Sequence, residues 1–255
     1  MKNISFCITS KNRLWQVRET LGQNLSYLED DSEIVLVDYG SNDGLSEWIW
    51  THFKAAIEQN KLRFVQVTSP VSWSCPIAKN VAHRMSTGDY LFGLDADNFM
   101  TADDLRHIRH AHQQQRPCHQ YTGAWKDVSC GRIGLPRALF FQIGGYDEGL
   151  LPMGMQDMDL IKRMAVMGWP IVRLPAPAKP AIENSDQEKM HEVIRQGEDP
   201  SEAYRVMVRL NADLSAHRIA QQGPIRTGGY ATLDGLLNGR PFRIDGLNRI
   251  YFGKG

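Results

Sequence analysis

The feature that most narrows the fold is an alternation of strand-like and helix-like patterns through the first hundred residues. Residues 4–8 (ISFCI) and 33–38 (EIVLVD) are short apolar runs containing β-branched side chains. Such runs suit strands buried on both faces, as in parallel sheets. Between them, Leu14, Val17, Leu21, Leu25 and Leu28 mark one face of a helix-length segment. Strand, helix and strand form a β-α-β unit with a right-handed crossover. The pattern continues with a helix over 44–58, a strand over 63–68, a helix over 76–86 and a strand over 90–94. An α/β class with an open, mostly parallel, doubly wound sheet follows. Ligands of such sheets gather at the carboxyl ends of the strands.

The second half reads differently. A helix is expected over 102–115, irregular strands over 119–130, and a short helix over 136–143 that stops at Gly144-Gly145. A helix over 157–167 and a strand over 170–174 complete the core. The segment PAPAKP (175–180) reads as a hinge at which the core ends. Two polar helices, 185–197 and 200–221, lie beyond it. Residues 223–255 hold eight glycines and two prolines and read as loop-rich.

Charge excludes several partners. Lys plus Arg number 29 and Asp plus Glu 29, so the formal net charge is zero. That argues against duplex DNA or anionic membrane binding through bulk electrostatics. Cys7, Cys75, Cys118 and Cys130 are widely spaced and include no C-x-x-C pair, the usage of a reduced protein. The N-terminal apolar run is shorter than a secretory core, and no stretch approaches the ~20 apolar residues of a membrane span. The expected compartment is the cytoplasm. Neither a dinucleotide glycine fingerprint nor a P-loop occurs.

Three short motifs carry the chemistry. Asp95-Ala96-Asp97 follows the strand YLFGL, placing two carboxylates where a buried strand emerges. Hard divalent cations want such oxygen ligands, and a diphosphate can complete their shell. A solvated turn or the cap of the next helix accounts for the same pattern locally. Gly144-Gly145-Tyr146-Asp147-Glu148 precedes Gln156-Asp157-Met158-Asp159, which also suits the acidic start of a helix. Asp38-Tyr39-Gly40-Ser41-Asn42-Asp43 ends the second strand and also suits a plain turn.

In this order and at these spacings, the three motifs resemble the family-2-like glycosyltransferases of the GT-A fold. The resemblance covers about residues 3–175. VDYGSND resembles that family's V-D-D-G-S-x-D, and Ala78-Lys79-Asn80 with STGDYLFGLDAD resembles its A-R-N…L-D-A-D stretch. GRIGLPRALFFQIGGYDE (131–148) resembles the segment before its acceptor site. GMQDMDL (154–160) resembles its G-G-E-D-x-D-L loop, as in galactosyltransferase- and chondroitin-polymerase-type enzymes. The resemblance implies an inverting, metal-dependent transferase that uses a nucleotide sugar. It divides the chain into a nucleotide-sugar half (1–100), an acceptor half (101–175) and a C-terminal extension (176–255).

By the same resemblance, Asp38 reads the base edge, favouring uracil and so a UDP-sugar. Thr9, Lys11 and Arg13 touch base and phosphates, and Lys79 stands where the family usually has Arg, keeping the charge but not the fork. Asp95 and Asp97 serve the donor diphosphate and a Mn²⁺ or Mg²⁺ ion. Asp157 is the general base. Gln156 replaces the family's Glu beside it, and Gly145, Tyr146 and Met155 border the acceptor. A third metal ligand is open among Glu183, Asn184 and His191. The expected acceptor is a saccharide, with a protein side chain or a modified nucleobase as alternatives. Two rival readings are a non-catalytic nucleotide-sugar or glycan-binding module and a nucleotidyltransferase on a related sheet. The loop TSKNR lacks the glycine the latter would want. Trp48, Trp50 and Trp169 are read as core or packing residues, while Trp73 and Trp125 could stack on a sugar or base or fill the core. The histidines His107, His110, His112 and His119 read better as a solvated helix face than as a zinc site.

Overall fold

The computed structural model describes residues 2–68, 72–120, 130–228, 242–244 and 249–252. Its first half follows the expected alternation. β1 (Ile4–Ser10) leads through α1 (Leu14–Ser26) to β2 (Ser32–Asp38), then α2 (Leu45–His52), α3 (Lys54–Glu58), β3 (Leu62–Val67), α4 (Cys75–Arg84) and β4 (Tyr90–Gly93). β1 pairs in parallel with β2 and β4, and β2 with β3. Every residue of β2 and β4 is buried, so the apolar stretches over 34–37 and 90–92 run unbroken rather than alternating with polar residues.

The second half adds α5 (Ala102–Gln113), β5 (Cys118–Gln120), β6 (Ile133–Pro136), α6 (Arg137–Ile143), α7 (Gln156–Val166) and β7 (Val172–Leu174). α8 (Asp186–Met190), α9 (Pro200–Gln222), β8 (Phe242–Ile244) and β9 (Arg249–Phe252) follow. The strand order is β7-β5-β6-β4-β1-β2-β3-β9-β8. β6 runs antiparallel to both β4 and β5, which reverses the sheet beside the D-x-D strand. β9 joins β3 in parallel and carries β8 as an antiparallel edge.

Apolar side chains cover both sheet faces. On one, Phe6, Ile34 and Leu36 pack with Val17 and Leu21 of α1 and Ile108 of α5. On the other, Val35, Val37 and Val65 meet Ile77, Ala78 and Val81 of α4. A third cluster joins Leu91, Leu135 and Phe140 to Leu160 and Met164 of α7, fixing that helix against the sheet.

Polar groups set the loop after β4. Thr20 Oγ1 donates to the carbonyl of Ala96 at 2.7 Å. Buried Asn24 donates to the carbonyl of Asn98 and accepts from the amide of Met100. Buried Arg132 holds the far side, bonding Gln120 and the carbonyl of Phe99.

Several expectations need correction. The single helix over 44–58 is two, because Phe53 leaves helical geometry at φ −124° and packs its ring on Trp48. The stretch before α6 is a strand, β6, whose Gly134 admits Tyr90 and Cys118 so closely that a Cβ would lie 2.7 Å from each. The helix over 185–197 shortens to α8. Met190 is fully buried but Val193 and Ile194 are only half-buried, so packing that would propagate the helix is missing. Trp50 is a packing residue rather than a core one: it is 41% exposed and sets its ring edge-on to buried Phe64. The chain does not leave the core after 175–180, since the amide of Ile182 donates to the carbonyl of Asp97. The loop-rich reading of 223–255 missed β8 and β9. Trp125 and most of the irregular strands over 119–130 lie outside the described residues.

His83 gives the fold a pH signature. Its ring is buried, stacks on Phe140 at 4.7 Å and turns its edge to Tyr146. Burial pushes its pKa down to about 3, against a smaller upward pull from the carbonyl of Lys79. The unfolded chain therefore binds a proton between about pH 6.5 and pH 3 that the folded chain refuses, and stability falls as pH falls through that window. His83→Phe should remove about 1.4 kcal/mol per pH unit of that loss between pH 6 and 4, read by urea denaturation of both proteins. Parallel pH profiles for the two proteins would contradict it.

Candidate active site

The ends of β1, β2 and β4 lie side by side, so the loops that follow them share one edge. Thr9 is half-buried near the end of β1. Lys11 donates to the carbonyls of Tyr39 and Gly40 at 3.3 Å each, which joins the first loop to the second. Asp38 accepts the amide hydrogen of Ser41 at 2.8 Å. Burial raises the pKa of Asp38, while the bonds from Ser41 lower it. Asp43 accepts from the amide of Leu14 and so caps α1 from outside its own helix. Asn12 takes φ +53° and bonds the amide of Asn42 through its side chain.

The centre of the site is an ion triad. Lys79, on α4, is buried and places Nζ 2.7 Å from Asp157 and 3.1 Å from Asp95. Burial alone would discharge the ammonium, but the two carboxylates hold its pKa well above the ordinary lysine range. Asp157 is the second residue of α7. Burial is the largest cause of a raised pKa there; Asp95 adds to the rise, and Lys79 and Gln156 oppose it. A carboxylate displaced upward is a stronger base toward a hydroxyl proton. Lys79 also lies 5.6 Å above the ring of Tyr146, which floors the triad. Gly131 leaves room for the carboxylate of Asp95, into which a Cβ would project.

Asp97 lies deeper in the same loop. Burial and the neighbouring Asp95 charge push its pKa up to about 6. Its carboxylate accepts from Asn98 and from Asn184, and Asn184 in turn accepts from Gln16. Of the three residues weighed as further ligands, Asn184 therefore reaches Asp97. Glu183 is exposed, and the exposed ring of His191 pairs with Glu192 instead. Among the described residues, no group of three or more His, Cys, Asp or Glu side chains could hold a metal.

The residues before α7 form the opposite rim. Gly154 and Met155 both take left-handed backbone, at φ +85° and +67°. Gln156 turns its amide nitrogen to Asp157, at 3.2 Å, and to the sulfur of Cys75. Its Oε1 is buried without a hydrogen-bond partner among the described residues. Gly145 and Tyr146 lie below this rim: Arg163 bonds the carbonyl of Gly145, and Asn80 bonds the backbone of Tyr146 on both sides. Trp73 donates to the sulfur of Met153 at 3.0 Å and stands edge-on to Tyr39.

Sequence reasoning missed what the C-terminal segment brings. Glu192 accepts from Asn12 at 2.7 Å and lies 3.9 Å from Lys11. Arg13 donates to the carbonyl of Glu188. Tyr204 of α9 lies below Lys189 and near enough to Asp157 to feel its charge, though burial is the main cause of its pKa rise to about 12. Apart from the capping pattern at Ser185, these residues sit in no motif.

The sequence profile described as Glycosyl transferase family 2 matches residues 5–167, well over half of the chain. The chain belongs to glycosyl transferase family 2. Solved structures agree on the fold. The mannosyltransferase PcManGT from Pyrobaculum calidifontis, in complex with GDP-Man and Mn²⁺, superposes with a TM-score of 0.59 at 17% identity, covering 87% of this chain and 76% of that one. S. aureus TarS 1–349, in complex with UDP-GlcNAc, also gives 0.59 at 19% identity, covering 86% and 69%. No curated protein sequence matches. The GT-A fold expected from the motifs is therefore the fold of this glycosyltransferase. No described helix is long and apolar enough to cross a membrane.

The triad makes a stability prediction. Lys79→Met leaves Asp157 buried and Asp95 beside it with no cation between them. Removing one partner of a buried pair costs about 3–5 kcal/mol. Urea denaturation at pH 7 should show a loss of that size, and a loss below about 1 kcal/mol would mean that the triad is as dispensable as a surface pair.

Proposed function

We propose that this glycosyltransferase moves a sugar from a UDP-sugar to an acceptor hydroxyl with inversion at the anomeric carbon. The observation that carries the reading is the shared cation: Lys79 joins Asp95, on the D-x-D loop, to Asp157, on the opposite rim. A diphosphate bound along the D-x-D loop would then have the anomeric carbon between it and Asp157. Asp157 would accept the proton of the attacking hydroxyl. Asp38 would accept from uracil N3–H, with Thr9, Lys11 and Arg13 lining the base and phosphate path. The two structural relatives were solved with different bases, guanine in GDP-Man and uracil in UDP-GlcNAc, so the uridine reading rests on Asp38 rather than on them.

The carboxylates suit a hard divalent ion, Mn²⁺ or Mg²⁺. Asp95 and Asp97 are one residue apart, and burial of the Asp97 carboxylate with the Asp95 charge beside it raises its pKa. Such an ion, when bound, neutralises charge on the departing diphosphate. The relative PcManGT was solved with Mn²⁺. On the acceptor side, Gln156 Oε1 would take a hydrogen bond from a hydroxyl, Met155 would form the rim, and Gly145 and Tyr146 would support the floor. Those four residues are themselves uncharged, which suits a neutral saccharide.

Two substitutions test the division of labour. UDP should raise the melting temperature more with Mn²⁺ than with EDTA, because a ligand stabilises through its affinity for the folded state. Asp97→Ala should erase that difference. Asp157→Asn should keep UDP and Mn²⁺ binding yet slow UDP release from its donor by about 10²–10⁴-fold, the range for loss of a general base. A fully active Asp157→Asn protein would remove Asp157 from the mechanism, and an undiminished Mn²⁺ effect in Asp97→Ala would remove the metal site.

A further inference from the structure

Asn211 is fully buried in the middle of α9. Its whole side-chain amide is spent on one loop. Nδ2 donates to the carbonyls of Leu151 (3.2 Å), Met153 (3.0 Å) and Gly154 (2.7 Å), and Oδ1 accepts the amide hydrogen of Leu151 (2.7 Å). Three carbonyls aimed at one nitrogen form a tight bend. The bend ends in two consecutive left-handed residues, and the second, Met155, is not glycine. Non-glycine residues hold that conformation only where surrounding contacts over-determine it.

The neighbours of Asn211 on α9 act on the same structure. Val208 packs so closely on Gly154 that a Cβ there would lie 2.7 Å from it. Ser215 donates to buried Asp159, one turn of contact further along, and Asp159 also pairs with buried Arg163 of α7. One face of α9 thus grips both the loop and the helix that begins where the loop ends. Gln156 and Asp157 are the first two residues of that helix.

We propose that Asn211 is a positioning residue: by clamping residues 151–154 it fixes the start of α7, and with it the direction in which Asp157 and Gln156 face the acceptor. The consequence for turnover rests on the glycosyltransfer reading above; the clamp itself does not. A misplacement of about 1 Å at a reacting group can cost on the order of 10²-fold in rate. The side-chain bonds of Asn211 go to the loop before α7 and to none of the residues assigned to the donor, so donor and metal binding should be indifferent to it.

Asn211→Leu tests this, because it keeps the size of the side chain and removes all four bonds; Asn211→Ala is the second variant should Leu not fold. The clamp predicts hydrogen exchange at least 10-fold faster at amides 151–158, with β1 and β2 unchanged. UDP binding with Mn²⁺ should stay within about two-fold of wild type, while UDP release from the donor falls at least 10-fold in kcat, measured well below the melting temperature. Unchanged exchange over 151–158, or exchange that rises equally in β1 and β2, would overturn the clamp. Faster local exchange with unchanged kcat would overturn the positioning role. If the wild type releases UDP from no donor tested, the glycosyltransfer reading fails, and the exchange comparison alone decides the clamp.

Discussion

One buried ammonium organises this protein. Lys79 reaches the D-x-D loop and α7 at once, and among the described residues neither carboxylate has another cation as near. Charges this deep tolerate little displacement, because each loses the partner that makes its burial bearable. The sheet supplies the geometry. β4 carries Asp95 outward, the antiparallel β6 turns the chain beside it, and the cluster of Leu91, Leu135 and Leu160 sets α7 at the distance Lys79 spans. A lysine makes a point contact to each acid where an arginine would present a planar fork. That suits two carboxylates from different elements rather than one bidentate pair.

The segment beyond residue 176 is part of this arrangement rather than an appendage. Asn184 meets Asp97, Glu192 and the carbonyl of Glu188 meet the loop after β1, and α9 holds the rim before α7. The proposed donor and acceptor sides therefore each have one wall from the family core and one from the C-terminal segment. Family 2 motifs end near the start of that segment, and the profile match stops at residue 167. Differences in what such enzymes accept can reside in a part of the chain that the shared motifs do not describe.

How legible all this was depends on range. The strands β1 to β4 announced themselves because burial on both faces demands continuous apolar runs, and Asp38, Asp95 and Asp97 announced themselves because they end those runs. The D-x-D pair and Asp157 could be named, but not their common partner's role: nothing local at Lys79 says that it bridges residues 16 and 78 positions away. β6 was obscured by its brevity and by Gly134, whose value lies in what it admits from Tyr90 and Cys118. Phe53 broke a helix through a packing preference that has no proline or glycine signal. Asn211 was invisible in principle, since a lone asparagine in a polar helix carries meaning only once the three carbonyls it faces are known.

In the proposed mechanism the base, Asp157, and the diphosphate lie on opposite sides of the reacting carbon, held apart and in register through Lys79. The configuration of the first-formed product measures this directly. With an α-linked UDP-sugar and Mn²⁺, and with water as the acceptor, proton NMR recorded faster than mutarotation should show the β-anomer of the free sugar first. Appearance of the α-anomer first would mean attack from the diphosphate side, and Asp157 could not be the base.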